Sequence, residues 1–235
     1  MKKNSAICQK TFFALDGLDL KEACGLSKKY QEKGLYGIKI GMELFYRYGP
    51  ESVRELREVF DGKIFLDLKL HDIPKTVHQA IKSLSNLPVD FLTLHLFGGE
   101  EMLKEAISAR NQYLPKCKLL GVTFLTSLDQ QDFKDLWNYS PEETQKRMQA
   151  LGQLVKKVSL DGLILSGSDL ALYQGIPPEI LRNCPGIRFE KQDINDDQKR
   201  VITPDEALKS GADFLVIGRA LKDQTYLPKN FWVKE

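Results

Sequence analysis

Eight short apolar runs, separated by segments with helical patterning, constrain the fold of this chain more than any other feature. The runs cover residues 11–16, 36–40, 90–95, 118–123, 161–165, 184–188 and 213–219, with one more that starts at Lys63 and ends near Asp72. Helical patterning falls between them, at residues 19–33, 42–48, 50–60, 74–86 and 100–110. Residues 129–158 read as two helices, the second starting at Ser140-Pro141-Glu142-Glu143, and a last helix begins near Pro204. Strands that alternate with helices pair in parallel. Eight such units predict an α/β fold closed into a (β/α)8 TIM barrel rather than an open sheet, and 235 residues fit one such barrel as a single domain over residues 1–235.

Within this frame the stretch from Asp67 to Val77 carries the most chemistry. Residues two apart on a strand share a face, so Asp67 and Lys69 point one way while Leu66, Leu68 and Leu70 point the other. Asp72 follows where the strand should end. Ile73 precedes a proline and is pushed to an extended conformation, and Pro74 is suited to open a helix. The bland reading is an edge strand with weak surface ion pairs. Against it, parallel strands of a barrel are buried on both faces, and charges on an inner face are costly unless paired. Such groups tend to mark a site.

A net charge of +2 gives no electrostatic case for nucleic acid or an anionic membrane. Cys8, Cys24, Cys117 and Cys184 are scattered, which predicts reduced thiols rather than a disulfide framework. The apolar run after the basic N-terminus stops at Asp16, too short for the core of a signal peptide, and no run is long enough to span a bilayer. The expected location is cytoplasmic.

Active residues of a barrel lie at the C-terminal ends of its strands. Asp16, Lys39, Asp67, Lys69, Asp72, Thr126, Arg188 and Arg219 all fall there. Each alone is explained as a solvated strand end; together they point to a site. Gly218-Arg219 suits a phosphate, through close backbone approach, a helix N-terminus and a guanidinium. His71, His78 and His95 have no metal-ligand spacing, and no nucleotide-binding loop or nucleophile elbow is present. Structural or incidental roles are expected for the histidines. The polar segment 189–201 is long enough to be a functional lid.

The run Asp67-x-Lys69-x-x-Asp72-Ile73-Pro74-x-Thr76-Val77 resembles the signature of the orotidine 5′-phosphate decarboxylase family. The resemblance continues in order through residues 14–16, 38–45, 125–127, 185–188, 197–201 and 217–219, essentially the whole chain. Asp-x-Lys-x-x-Asp alone is shared with other sugar-phosphate barrels; the extended run is far more specific. Two segments depart from the pattern. His95-Leu96-Phe97 is bulky where small residues are usual, and Ala220-Leu221 follows the arginine where Pro-Ile is typical. Both bear on packing near the site and leave the matched polar residues intact.

The resemblance implies a homodimer that converts orotidine 5′-phosphate to UMP and carbon dioxide, the last step of de novo UMP synthesis, without metal or cofactor. By position, Lys69 would protonate C6 of the pyrimidine. Asp67 and the partner subunit's Asp72 would flank it, and Lys39 would complete an alternating charge array. Asp16 and Lys39 would contact the ribose, as would the partner subunit's Thr76. Thr126 would lie along the pyrimidine, with the partner subunit's Ile73 near it. Gln198, Gly218 and Arg219 would hold the phosphate while Arg188 and the 189–201 segment close over it. Two other readings stay open at this stage. One is a metal-dependent hexulose-phosphate synthase or keto-gulonate-phosphate decarboxylase, which shares Asp-x-Lys-x-x-Asp but lacks Ile-Pro-x-Thr-Val. The other is a catalytically dead barrel that only binds nucleotides.

Overall fold

The computed structural model describes residues 7–189, 201–223, 227–228 and 231–232. Eight parallel strands close in sequence order into a barrel: β1 (Thr11–Ala14), β2 (Gly37–Gly41), β3 (Lys63–Leu70), β4 (Phe91–His95), β5 (Lys118–Val122), β6 (Gly162–Ile164), β7 (Leu181–Cys184) and β8 (Phe214–Ile217). The helices α1 (Leu20–Gln31), α2 (Met42–Tyr48), α3 (Pro50–Val59), α4 (Pro74–Ser83), α5 (Gly99–Tyr113), α6 (Gln130–Trp137), α7 (Pro141–Val158), α8 (Pro204–Lys209) and α9 (Arg219–Lys222) lie between and after them. Their starts follow local chemistry. Asp19, Asp129, Ser140 and Thr203 each cap a helix, with Glu22, Asp132, Glu143 and Glu206 reaching back to complete the box. Among the described residues no helix is long and apolar enough to cross a membrane.

The period-two pattern of the strands separates two cores. Ile38, Ile40, Ile64, Leu66, Leu92, Leu94, Leu119 and Leu215 face outward into the layer beneath the helices. Phe12, Ala14, Phe65, Phe91, Leu120 and Val216 form a separate cluster inside the barrel. Phe12 meets Phe65 and Phe91 edge to face, with centroids 5.3 and 5.2 Å apart. This aromatic floor fills the lower interior. One pleat further along, the inward positions of β2, β3 and β4 are Lys39, Asp67 and Thr93, so polarity rises toward the C-terminal mouth.

The opposite rim carries a repeated structural device. Asp90, Asp161 and Asp213 precede β4, β6 and β8, and each accepts a backbone N–H from the preceding strand: Ile64, Leu119 and Arg182. Asp90 also pairs with Arg57 at 3.1 Å and Asp161 with Arg110 at 2.7 Å. These carboxylates satisfy strand-end donors and serve stability, as expected for the N-terminal face of a barrel.

One strand differs from the sequence reading. The seventh runs over Leu181–Cys184 rather than residues 184–188, with Leu163 paired to Arg182 and Cys184 to Leu215. Pro185 has no N–H for a ladder and Gly186 takes φ 74°, so the chain turns out of the sheet before Arg188. Ile187 is buried as a strand residue would be, but it forms only an isolated bridge to Ile202. A 3-10 segment at Gly167–Tyr173 had no clear sequence signal. The central part of the expected lid, including Gln198, lies outside the described residues.

Candidate active site

A cavity of about 520 Å³ opens at the C-terminal mouth of the barrel. It gathers Asp16, Lys39, Asp67, Lys69, Thr126, Arg188, Gly218 and Arg219 from six different strand ends or the loops after them. Its floor and one wall are apolar, from Phe65, Val122, Phe124, Leu125, Ile164 and Pro185. Apolar side chains on or after β5, β6 and β7 thus share one mouth with the charges on or after β1, β2 and β3 and the cations that follow β7 and β8.

The charges form one chain of alternating sign. Lys39 Nζ lies 2.9 Å from Asp16 Oδ2 and 3.5 Å from Asp67 Oδ2; Lys69 Nζ lies 2.9 Å from that same Asp67 oxygen. Lys39 and Asp67 are nearly enclosed, with side chains 10% and 13% exposed, while Lys69 at 29% reaches toward the cavity. Burial works against the charge on Lys39, but Asp67 and then Asp16 outweigh it and hold the ammonium above its usual range. Burial likewise pushes Asp67 up, and Lys39 and Lys69 outweigh that and bring it below the ordinary carboxylate range. Gly41 makes the outer pair possible: a Cβ there would collide with the Asp16 carboxylate and approach Lys39 Nζ to 3.2 Å.

β3 brings Asp67 and Lys69 to the same side, as alternation predicts, but not as a regular strand. Lys69 has φ 48°, and the register against β4 shifts between Leu66 and Leu70. A left-handed lysine costs about 1 kcal/mol or more and is a feature that clusters at functional sites. Its N–H donates to Thr93 Oγ1 at 2.9 Å, and that hydroxyl donates to Asp67 Oδ1 at 2.8 Å. The sequence reading missed Thr93. A hydroxyl in the inward row Phe91-x-Thr93-x-His95 was the available signal.

Two of the histidines given only structural or incidental roles from the sequence form a second feature, and Lys222, which the sequence did not single out, a third. His71 and His95 stack with centroids 5.2 Å apart, and His95 also meets the Phe97 ring at 5.3 Å. Burial, followed by His71 and Lys69, brings the His95 pKa down to about 4, so its imidazole is neutral near pH 7. Lys222 lines the cavity with Arg188 and Arg219, and its Nζ donates to the Gly17 carbonyl at 2.7 Å. The expected helix N-terminus there is only the four-residue α9, so the positive character comes from these side chains rather than from a helix dipole.

Asp72, Ile73 and Thr76 do not join the cavity. They lie on the β3–α4 turn and first turn of α4, all exposed, with Ile73 66% exposed and the Asp72 carboxylate accepting the Ile73 N–H at 2.7 Å. Among the described residues no three His, Cys, Asp or Glu side chains cluster in a manner suited to a metal.

Comparison with known proteins agrees with this geometry. Residues 9–225 match the sequence profile of the Orotidine 5′-phosphate decarboxylase / HUMPS family. The chain is 39% identical over 219 residues to the orotidine 5′-phosphate decarboxylase of Carboxydothermus hydrogenoformans, covering 91% of this chain and 89% of that one. It is 42% identical over 184 residues to the enzyme of that name from Opitutus terrae, covering 78% of each. The crystal structure of orotidine 5′-phosphate decarboxylase from Lactobacillus acidophilus superposes with a TM-score of 0.73 at 31% identity, over 94% of this chain and 93% of that one. A match over nearly the whole chain, on a barrel that brings Asp67 and Lys69 of the signature run into one cavity, means that this chain belongs to the orotidine 5′-phosphate decarboxylase / HUMPS family.

Proposed function

We propose that this chain decarboxylates orotidine 5′-phosphate to UMP and carbon dioxide, the last step of de novo UMP synthesis. The observation that carries the reading is the Asp16–Lys39–Asp67–Lys69 charge chain in one cavity with an apolar wall and with Arg188 and Arg219. A planar pyrimidine fits the apolar wall, a ribose fits Asp16 and Lys39, and a phosphate suits the arginines.

The chemistry follows from the electron pair. When the bond from C6 to the carboxylate breaks, carbon dioxide leaves and both electrons stay on C6, in the ring plane and out of conjugation. The Lys69 ammonium stabilises that charge as it forms, and its proton then passes to C6. The neutral amine regains a proton from solvent. Binding energy from the phosphate, held by Gln198, Gly218 and Arg219 in this reading, helps to hold the base against this array.

The functional unit in this reading is a homodimer with shared sites. Asp72, Ile73 and Thr76 of one subunit would complete the cavity of the other, which is supported by their exposure and their absence from their own cavity. The reading also sets the enzyme in the cytoplasm, in keeping with four cysteines that form no disulfide among the described residues.

The test is direct. Purified protein mixed with orotidine 5′-phosphate should lose the substrate absorbance and release carbon dioxide, at the same rate with and without a chelator. Turnover abolished by chelation and restored by a divalent cation would favour the metal-dependent branch of the family. Nucleotide binding without turnover would show a binding protein on a decarboxylase scaffold.

A further inference from the structure

We propose that Thr93 is the positioning residue of this site, holding the Asp67 carboxylate and the Lys69 backbone in a single arrangement. The proposal rests on the decarboxylase reading and adds to it a residue outside the signature run.

The argument begins with the strand pairing. Leu66 pairs with Leu92 and Leu70 with Leu94, so β3 advances four residues, from 66 to 70, while β4 advances two, from 92 to 94. Alternation already sets Asp67 and Lys69 on the cavity side; the extra length disturbs the ladder at Lys69, whose φ is 48°. A main-chain N–H displaced from its ladder needs another acceptor. Thr93 Oγ1 supplies it at 2.9 Å.

The same oxygen gives its single proton to Asp67 Oδ1 at 2.8 Å. Its direction is set by chemistry: an ionised carboxylate only accepts, and a backbone N–H only donates. Thr93 is fully buried, so its hydroxyl has no access to bulk water. The remaining oxygen, Asp67 Oδ2, takes both lysine side chains. Lys69 is therefore held twice, at its backbone through Thr93 and at its ammonium through Asp67. The rotation of Asp67 is fixed from both of its oxygens. The threonine hydrogen bond also helps to keep Asp67 ionised, after the two lysines have outweighed burial.

Valine matches threonine in shape and removes both hydrogen bonds. Thr93→Val should lower kcat about 10-fold or more while KM stays within about 3-fold. Thr93→Ser keeps the hydroxyl and should stay within about 3-fold of wild type on both constants. The acid limb of the kcat/KM profile should move to higher pH in Thr93→Val and not in Thr93→Ser. A crystal structure of Thr93→Val should show Lys69 leaving its positive φ or Asp67 rotating. In the wild-type protein, hydrogen exchange should find the Lys69 amide protected although it lies off the ladder, a measurement that requires no variant to fold.

Wild-type turnover in Thr93→Val, equal losses in the valine and serine variants, a loss confined to KM, or rapid exchange at Lys69 would each overturn the proposal. Failure of the wild type to decarboxylate orotidine 5′-phosphate would instead remove the functional reading. The exchange and crystallographic results would still decide whether Thr93 sets the geometry.

Discussion

Lowering the pH from 7 to 5 should weaken this fold chiefly through one side chain, His95. It ends β4 against His71 and Phe97, and its Nδ1 is buried with no hydrogen-bond partner among the described residues. Burial, His71 and Lys69 bring its pKa from the usual 6.5 to about 4. An unfolded chain therefore takes up this proton near pH 6.5, and the folded chain resists it until about pH 4. Between those values the unfolded state holds more protons, so stability is complete above the window and falls as pH drops through it. Asp67, Glu100 and Glu142 are shifted down, so their contributions are lost mainly below about pH 5. Lys39 is shifted up, and its contribution is lost only in alkali.

Linkage over those two pH units amounts to about 2 kcal/mol for the full shift, and about 1 kcal/mol once screening by solvent at a partly exposed ring is included. For a chain of this length that is a fall in Tm of about 2–8 °C. Urea unfolding at pH 7, 6 and 5, followed by fluorescence of Trp137 and Trp232, measures it. His95→Asn, which does not titrate there, should flatten the curve across the window. A wild-type stability that does not change from pH 7 to 5, or an Asn variant that falls as steeply, would refute the reasoning.

Three further outcomes bear on the site itself. Lys69→Ala should lose turnover by several orders of magnitude while its circular dichroism stays that of wild type, and near-normal turnover would remove Lys69 as proton donor. Arg219→Ala should reduce kcat/KM about 100-fold for orotidine 5′-phosphate and little for orotidine, the loss of a charged phosphate contact; equal losses on both would mean that Arg219 does not read the phosphate. Lys69→Ala and Asp72→Ala homodimers, each inactive, should regain activity when mixed under subunit exchange, approaching about a quarter of the wild-type sites. Exchange without recovery would place Asp72 in the function of its own chain.

The barrel was legible because each unit pairs an apolar run with a helical pattern, and several helix starts are marked by a cap or a proline. Asp19, Ser140 and Pro74 mark helix starts in the sequence and in the structure alike. The seventh strand was displaced because Ile187 is buried in a loop for tertiary reasons that its apolarity does not reveal. Among the site residues, charge at strand ends located Asp16, Lys39, Asp67, Lys69, Arg188 and Arg219. Thr93 was hidden because a lone threonine in a strand is ordinary, and only the bulge in the neighbouring strand makes its hydroxyl necessary. The stack of His71 on His95 was hidden for a related reason: 24 residues separate them, and only the pairing of β3 with β4 brings the two rings together. Lys222 was passed over because it lies one turn past the Gly218-Arg219 motif, and only the short α9 brings its ammonium back to the Gly17 carbonyl.

The placement of two lysines on one carboxylate has a consequence for the reaction proposed here. Asp67 Oδ2 lies within ion-pair distance of both Lys39 and Lys69. When Lys69 gives its proton to C6 it loses its charge, and a buried carboxylate paired with it alone would be left uncompensated, a situation that typically costs about 3–5 kcal/mol. Lys39 prevents that. It stays cationic because Asp16 and Asp67 both favour its charge over the opposing effect of burial. Asp67 therefore remains neutralised throughout, and Lys69 can pass from ammonium to amine and back without the array rearranging. The outer pair in this view is not a spare ribose contact alone. If Lys69 is the proton donor, this pair would keep the inner carboxylate ionised when the Lys69 ammonium gives up its proton.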